Sequence, residues 1–307
     1  MSKGFLVIDG NALAHAAAAK EKLHVGGVEV QVIYHFLRML RPLVARFAQL
    51  TPIVLWDGRS WRYDRFPDYK ASRNKEPETA AEIKMAKLRN EVKRQRKHVQ
   101  KALELLGVRQ ISALNLEADD LAGGMVRKFG NDRSMLLVTR DNDWLQLVRP
   151  RVTWYDPIAD KMIGLKTFEE RTGLRSPRAF LEQKALTGDD SDEIPGVGGI
   201  GEKGALELLT TYRSVGDFLN MSIDGSLPEL PKKFAAFAEQ MEKQEIYRRN
   251  LMLMDLMSPL APKPINLKMT AKPMNIAGFE KFCRILVFKS VLTDLEGWCE
   301  PFKRSAT

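Results

Sequence analysis

The sequence predicts an α/β protein in which a mostly parallel sheet is flanked by helices. Three observations predict it. Short aliphatic runs close on an acid: FLVID at Asp9, IVLWD at Asp57 and MLLVTRD at Asp141. Each is followed by loop or helical sequence, the pattern of buried parallel strands alternating with helices. The chain has 307 residues, 44% hydrophobic and 28% charged, enough for one large core or two smaller ones.

The first run lies in MSKGFLVIDG, where no long apolar stretch follows a basic one and an acid ends the run. Neither a signal peptide nor a spanning helix is expected, so the reading is a cytoplasmic protein with no membrane role. The second run leads into a basic segment. Between residues 58 and 101, fourteen Lys and Arg stand against six acids, which places +8 of the net +9 there. KLRNEVKRQRKHVQK carries the i,i+4 charge spacing of an exposed helix, and a solvated face would explain the charges alone. Trp61, Tyr63, Phe66 and Tyr69 interleave with the cations at the front of the segment. Cations mixed with stacking rings suit a polyanion that carries bases, which favours nucleic acid.

EADDLAGGMVRKF, residues 117–129, predicts a helix with an apolar stripe at Leu121, Met125 and Phe129. Acids at a helix N-terminus complement its dipole, but three in four residues exceed what capping needs. Asp141 and Asp143 in TRDNDW are two apart and are expected to point the same way from an extended strand end. VTWYD reads as a further strand; Asp156 is left out of the site because the hairpin-like turn DPIADKMIG follows it. Residues 258–276 read as a linker to a C-terminal helix packing back on the core. Cys283 and Cys299 form neither a CxxC pair nor a Cys/His cluster, which argues against zinc and leaves them structural thiols.

Asp9, Asp57, Glu117, Asp119, Asp120, Asp141, Asp143, Asp189 and Asp192 make nine carboxylates, most at positions that such a sheet brings to one crevice. Together they would repel one another unless cations held them. Carboxylates without His or Cys select hard ions such as Mg²⁺ or Mn²⁺, and two such ions can cleave a phosphodiester. The loop GVGGIG after GDDSDEIP matches the dinucleotide pattern G-x-G-x-x-G, but a helix end and an acidic loop precede it instead of a strand. A P-loop fails as well, because Glu202 stands where its lysine belongs. What remains is a glycine-rich turn opening onto the helix EKGALELLTTY, either a plain tight turn or a cradle for backbone phosphate.

GDDSDEIPGVGGIGEKGA resembles the signature G-D-x-S-D-N-x-P-G-V-x-G-I-G-x-K-T-A of the flap endonuclease and 5′-nuclease family. The resemblance continues in order through VIDGNALAH, VLWDG with YKASR, LEADDLAG and TRDNDWLQLV, and YRRNLMLMDL is similar to the end of bacteriophage members. It implies a PIN-like nuclease fold over residues 1–175 with a helical arch at about 60–100, a helix-three-turn-helix DNA-binding element over 176–260, and a C-terminal segment over 261–307. By motif, Asp9, Asp57, Glu117 and Asp119 would hold the catalytic metal with Asp120 beside them, and Asp141, Asp143, Asp189 and Asp192 the second. Lys70 would bear on the scissile phosphate, Arg73 would assist, and neighbouring aromatics such as Tyr69 would stack the frayed nucleotide. Gly196, Gly198, Gly199, Gly201 and Lys203 would grip duplex backbone, with a monovalent cation such as K⁺ at the loop.

Four positions depart from the family pattern. Ala16 replaces an arginine, which shifts its phosphate contact to a residue such as Lys20 or Lys22. Glu193 replaces the signature asparagine, Gly204 replaces its threonine and weakens that helix start, and Arg140 beside Asp141 is unusual. The expected activity is metal-dependent in-line hydrolysis near 5′ ends of DNA flaps, nicks and RNA primers, performed by a monomer in replication or repair. A polymerase or a single-strand-binding protein is the expected kind of protein partner. Two alternatives are a PIN-type ribonuclease, which would not need the glycine loop, and a non-catalytic DNA-binding protein, which would not need nine acids.

Overall fold

The computed structural model describes residues 3–227 and 229–306. Strand β1 (Gly4–Asp9) runs into helix α1 (Gly10–Ala18), and the short hairpin β2 (His24–Val25) and β3 (Val28–Glu29) precedes α2 (Gln31–Arg46). Then come β4 (Leu50–Trp56), two 3₁₀ turns (Trp61–Asp64 and Ala71–Asn74) and the long α3 (Ala80–Leu105). A capping box at Thr79 and Glu82 starts that helix. Next are β5 (Arg109–Ser112), α4 (Ala118–Phe129), β6 (Met135–Val138), the antiparallel pair β7 (Val152–Asp156) and β8 (Lys161–Ile163), and the short α5 (Phe168–Thr172).

These strands form one sheet in the order β11-β5-β4-β1-β6-β7-β8, where β11 (Lys268–Thr270) returns late in the chain to the β5 edge. The central five are parallel, and only β8 and β11 at the edges are antiparallel. Alternation along β1 builds two cores. Phe5 and Val7 face one that includes α4 and the later helices, while Leu6 and Ile8 face another with α1, α2 and α3.

The second half supplies α6 (Pro177–Thr187), the ribbon β9 (Gly188–Asp189) and β10 (Ile194–Pro195), α7 (Glu202–Tyr212), α8 (Val215–Asp224), α9 (Lys232–Glu239) and α10 (Met241–Met254). Stacked Phe218 and Phe237, with Phe234 edge-on, tie α8 to α9. Residues 258–276 are more than the linker expected: β11 within them pairs with β5, burying an otherwise open sheet edge. Helices α11 (Ile276–Ile285), α12 (Lys289–Leu292) and α13 (Leu295–Ala306) follow, and the buried Cys283 and Cys299 lie among their core contacts. Among the described residues no helix is long and apolar enough to cross a membrane.

Candidate active site

The site lies outside the carboxyl end of β1, whose neighbours β4 and β6 lie on either side, the switch point where open α/β sheets place ligands. A cleft of about 620 Å³ there is lined by Asp9, Asp57, Glu117, Asp119, Asp141, Asp143, Asp189 and Asp192. Lys70, Arg73, Arg89 and Lys184 line the same cleft.

Each acid is held by the end of an element. Asp9 caps α1, accepting from Ala12 N–H at 2.9 Å, and Thr139 Oγ1 donates to its other oxygen at 2.9 Å. Asp57, just past β4, accepts from Ala118 N–H at 2.8 Å and from the Asn11 amide. Glu117 is the cap residue of α4, and Lys70 Nζ lies 2.8 Å from its Oε1. Asp119, in the first turn of that helix, accepts from Trp144 Nε1 at 2.6 Å. Lys184 in α6 bridges Asp143 and Asp189, reaching the latter at 2.6 Å. Asp192 faces Lys70 at 3.3 Å and Arg73 at 3.6 Å.

Burial and mutual repulsion act strongly on this cluster. Desolvation, reinforced by Asp57, raises Asp9 to about 6, and desolvation with Asp143 raises Asp141 to about 7. Asp119, fully enclosed and facing Asp141 and Glu117, is pushed well above the usual carboxylate range. Burial also raises Asp57 and Asp143. Glu117 is the exception: burial would raise it, but Lys70 and Arg62 outweigh that and hold it at about 2. Asp189 is likewise lowered, because Lys184 outweighs its burial.

Among the described residues no three acid, His or Cys side chains converge closely enough to form a finished coordination shell. Their oxygens are turned instead onto Asn11, Thr139, Trp144, Lys70 and Lys184. The donor set is nevertheless all oxygen, and several of its members resist ionisation without nearby positive charge, which fits hard divalent cations.

Two family models match the chain in succession: the 5′-3′ exonuclease N-terminal resolvase-like domain over residues 4–173, and the 5′-3′ exonuclease C-terminal SAM fold over residues 175–273. The chain belongs to the 5′-3′ exonuclease family. A 5′-3′ exonuclease of Bacillus subtilis is 33% identical over 234 residues, covering 71% of this chain and 74% of that one. A flap endonuclease Xni of Shewanella putrefaciens is 31% identical over 269 residues, covering 86% and 93%. The bacteriophage T5 D15 flap endonuclease, solved with DNA and metal ions, shares the fold over 98% of both chains, with a TM-score of 0.64 and 20% identity. This 5′-3′ exonuclease is therefore a structure-specific 5′-nuclease.

Within this member of the family, several expected residues take other roles. Asp120 does not line the cleft. Arg62 holds it at 2.9 and 3.1 Å, and it accepts from the backbone N–H of Glu117 at 3.0 Å, so it orients the helix start instead of facing a metal. Tyr69 is 1% exposed and donates its hydroxyl to Glu117 and Asp192 at 2.9 and 3.0 Å, which removes its ring from any stacking surface. Asp141 and Asp143 do not sit on an extended strand; Asp141 caps a 3₁₀ turn by accepting from Asp143 N–H at 2.8 Å. Neither Lys20 nor Lys22 lines the cleft, and Lys22 pairs with Glu29 at 2.6 Å; the cations on the cleft wall are Lys70, Arg73, Arg89, Arg140 and Lys184.

The glycines divide into two kinds. At Gly196 a side chain would meet Thr187 O at 2.3 Å, so this glycine is required by packing within the fold. Gly198 and Gly199 have φ of +73° and +82° and lie on the exposed face, as do Gly201 and Lys203.

The residues that motif reading missed are those that settle the charges. Lys184 lies five positions before Asp189 in KALTGD, and that proximity was its only sequence signal. Arg62 looked like one more cation of the basic segment. His15, from the α1 face, also lines the cleft with a buried Nδ1 that has no hydrogen-bond partner.

Proposed function

We propose that this 5′-nuclease uses two divalent ions, Mg²⁺ or Mn²⁺, to hydrolyse phosphodiesters at 5′ flaps, nicks, frayed 5′ ends and RNA primers annealed to DNA. The observation that carries the reading is the meeting of eight acids with Lys70 and Arg73 in one cleft at the sheet's switch point. Asp9, Asp57, Glu117 and Asp119 would hold one ion, and Asp141, Asp143, Asp189 and Asp192 the other. When bound, such ions activate a water and stabilise the leaving oxygen of an in-line displacement.

The chain's own residues supply the rest. Lys70 brings a positive charge to the acid that it shares with Arg62, and would donate to the phosphoryl oxygens as charge develops there. Arg73, more exposed than Lys70, would fix the phosphate from the cleft mouth. Gly198, Gly199, Gly201 and Lys203 would hold the duplex on the same chain, away from the cut. This division yields a 5′-phosphorylated product and a preference for junctions between single and double strands. A polymerase or a single-strand-binding protein is the proposed working partner.

The reading is tested with a 5′-flap duplex labelled at either end and incubated with Mg²⁺, Mn²⁺ or a chelator, beside blunt duplex and single-stranded RNA. Metal-dependent cuts at the flap junction are expected, and fragment lengths report exonuclease against endonuclease action. Tight flap binding without cleavage under either metal would make the protein a binding module, and cleavage of RNA alone a ribonuclease.

A further inference from the structure

We infer that the glycine loop carries its own cation, the ammonium of Lys243, and presents it to a DNA phosphate in place of a bound monovalent ion; this rests on reading the loop as a duplex grip. Lys243 lies in the first turn of α10, some 45 residues beyond the loop, and its Nζ donates to Val197 O at 2.8 Å and to Gly198 O at 2.9 Å. Two backbone carbonyls turned toward one point are what a K⁺ site at this loop would need. Here a full positive charge already holds both. A K⁺ sharing those oxygens would stand against the ammonium at close range, so the expected K⁺ does not fit this chain.

The surrounding geometry directs the ammonium outward. An ammonium has three donors, and the two carbonyls use two. A Cβ at Gly198 would lie 3.2 Å from Nζ, and φ there is +73°, so glycine is the residue that admits the ammonium without crowding. At Gly199 and Gly201 nothing lies within 4 Å of a Cβ position, which leaves the loop's outer face clear. Gly201 then caps α7 without a side chain, leaving the first backbone N–H groups of that 11-residue helix without a side-chain partner. Lys203 is exposed in the same turn. Ammonium, helix N-terminus and lysine side chain together make a donor set for one phosphodiester. A purely structural ammonium, stapling α10 to the loop, would need none of the open surface beside it.

The test measures duplex DNA binding by fluorescence anisotropy in chelator, in KCl, NaCl and tetramethylammonium chloride at equal ionic strength. Wild-type affinity is expected to be the same in all three salts. Lys243→Met should weaken binding about tenfold, as expected for a charge-assisted hydrogen bond. It should also make the dependence of log affinity on log salt shallower by about one, the signature of one lost phosphate contact. Lys243→Arg should restore most of both. Weaker wild-type binding once K⁺ is replaced would overturn the inference, as would a Lys243→Met protein of unchanged affinity and slope. If Lys243→Met fails to fold, the salt comparison on the wild-type protein and the arginine variant still decide. A wild-type protein that binds no duplex in any salt would overturn the duplex-grip reading as well, whereas cation-selective binding overturns this inference alone.

Discussion

Lys70 Nζ lies 2.8 Å from Glu117 Oε1, joining the cap residue of the 3₁₀ turn Ala71–Asn74 to the cap residue of α4, 47 positions along the chain. The contact is held from both ends. Lys70 adopts a left-handed backbone, φ 52°, and its N–H donates to Asp192 O at 3.1 Å. Such a conformation persists in a non-glycine residue only where its surroundings over-determine it. Lys70→Ala is expected to lower turnover by about 10²–10³-fold, the range for a lost transition-state donor. Substrate affinity should change far less. Single-turnover kinetics beside binding in chelator checks this; equal losses in both would reduce Lys70 to a docking residue.

Asp119→Asn should abolish cleavage and leave duplex binding intact. The amide can still accept from Trp144 Nε1, while the carboxylate charge that Asp141 and Glu117 repel is gone. The metal-free variant should therefore melt higher than wild type, by about 1.5 °C for each 1 kcal/mol of repulsion relieved. Retained cleavage would remove Asp119 from the metal ligands, and an unchanged melting temperature would deny the repulsion.

The pH dependence of metal-free stability follows from Asp9 and Asp141. Both are raised above the ordinary 3.8, to about 6 and about 7, so the folded state holds these protons more tightly than the unfolded chain. Their contribution is fully present below 3.8 and is lost as pH rises through 6 and 7. Glu117 and Asp189 are lowered, and their contributions fall away only at more acid pH. His15, lowered by burial, acts in the opposite sense, one group against the several raised acids. In chelator, the melting temperature should fall between about pH 5 and about pH 8, and Mg²⁺ should stabilise most at the alkaline end. A flat profile would mean that the acids ionise freely without metal.

Gly196 and Gly199 should separate folding from binding. Alanine at position 196 would clash with Thr187 O at 2.3 Å and should lower the melting temperature. Position 199 is open, so valine there meets no clash, costs about 1–3 kcal/mol of backbone strain, and should weaken duplex binding more than stability. Thermal melts beside duplex binding distinguish them; unchanged affinity for Gly199→Val would leave the loop a plain turn.

The alternation of strands and helices was legible because β1, β4 and β6 are buried on both faces and read as continuous aliphatic runs ending in acids. That pattern pointed to Asp9, Asp57 and Asp141, while Glu117 and Asp119 were read from a helix start, Asp143 from its spacing to Asp141, and Asp189 and Asp192 from the acidic loop before the glycines. The counter-charges were not legible. Arg62 and Lys184 look like other surface cations in sequence, and only the packing of residues 55 and 41 positions away turns them inward. Tyr69 was misread for the same reason: an aromatic among cations suits stacking, but its hydroxyl meets the carboxylates of Glu117 and Asp192 first. Strand β11 was hidden because three residues among prolines carry no periodicity, and only the vacant β5 edge gives them a partner.

Arg62 is the sharpest test of how the site holds its charge. It is 4% exposed, donates to Glu117 at 3.2 Å and to Asp120 at 2.9 and 3.1 Å, and its Nε reaches Leu253 O at 2.6 Å. Replacing it by Met keeps much of the volume but leaves the buried Asp120 without its cation and Glu117 with Lys70 alone. Breaking a buried pair from one side costs about 3–5 kcal/mol, because the remaining charge stays desolvated. Arg62→Met should therefore lower the melting temperature strongly, while Lys, unable to span Glu117, Asp120 and Leu253 O together, should recover only part of it. Adding Asp120→Asn to Arg62→Met should restore stability, because one uncompensated charge is removed. If the double variant were no more stable than Arg62→Met, the cost would lie in lost packing and the charge balance would not be what Arg62 supplies.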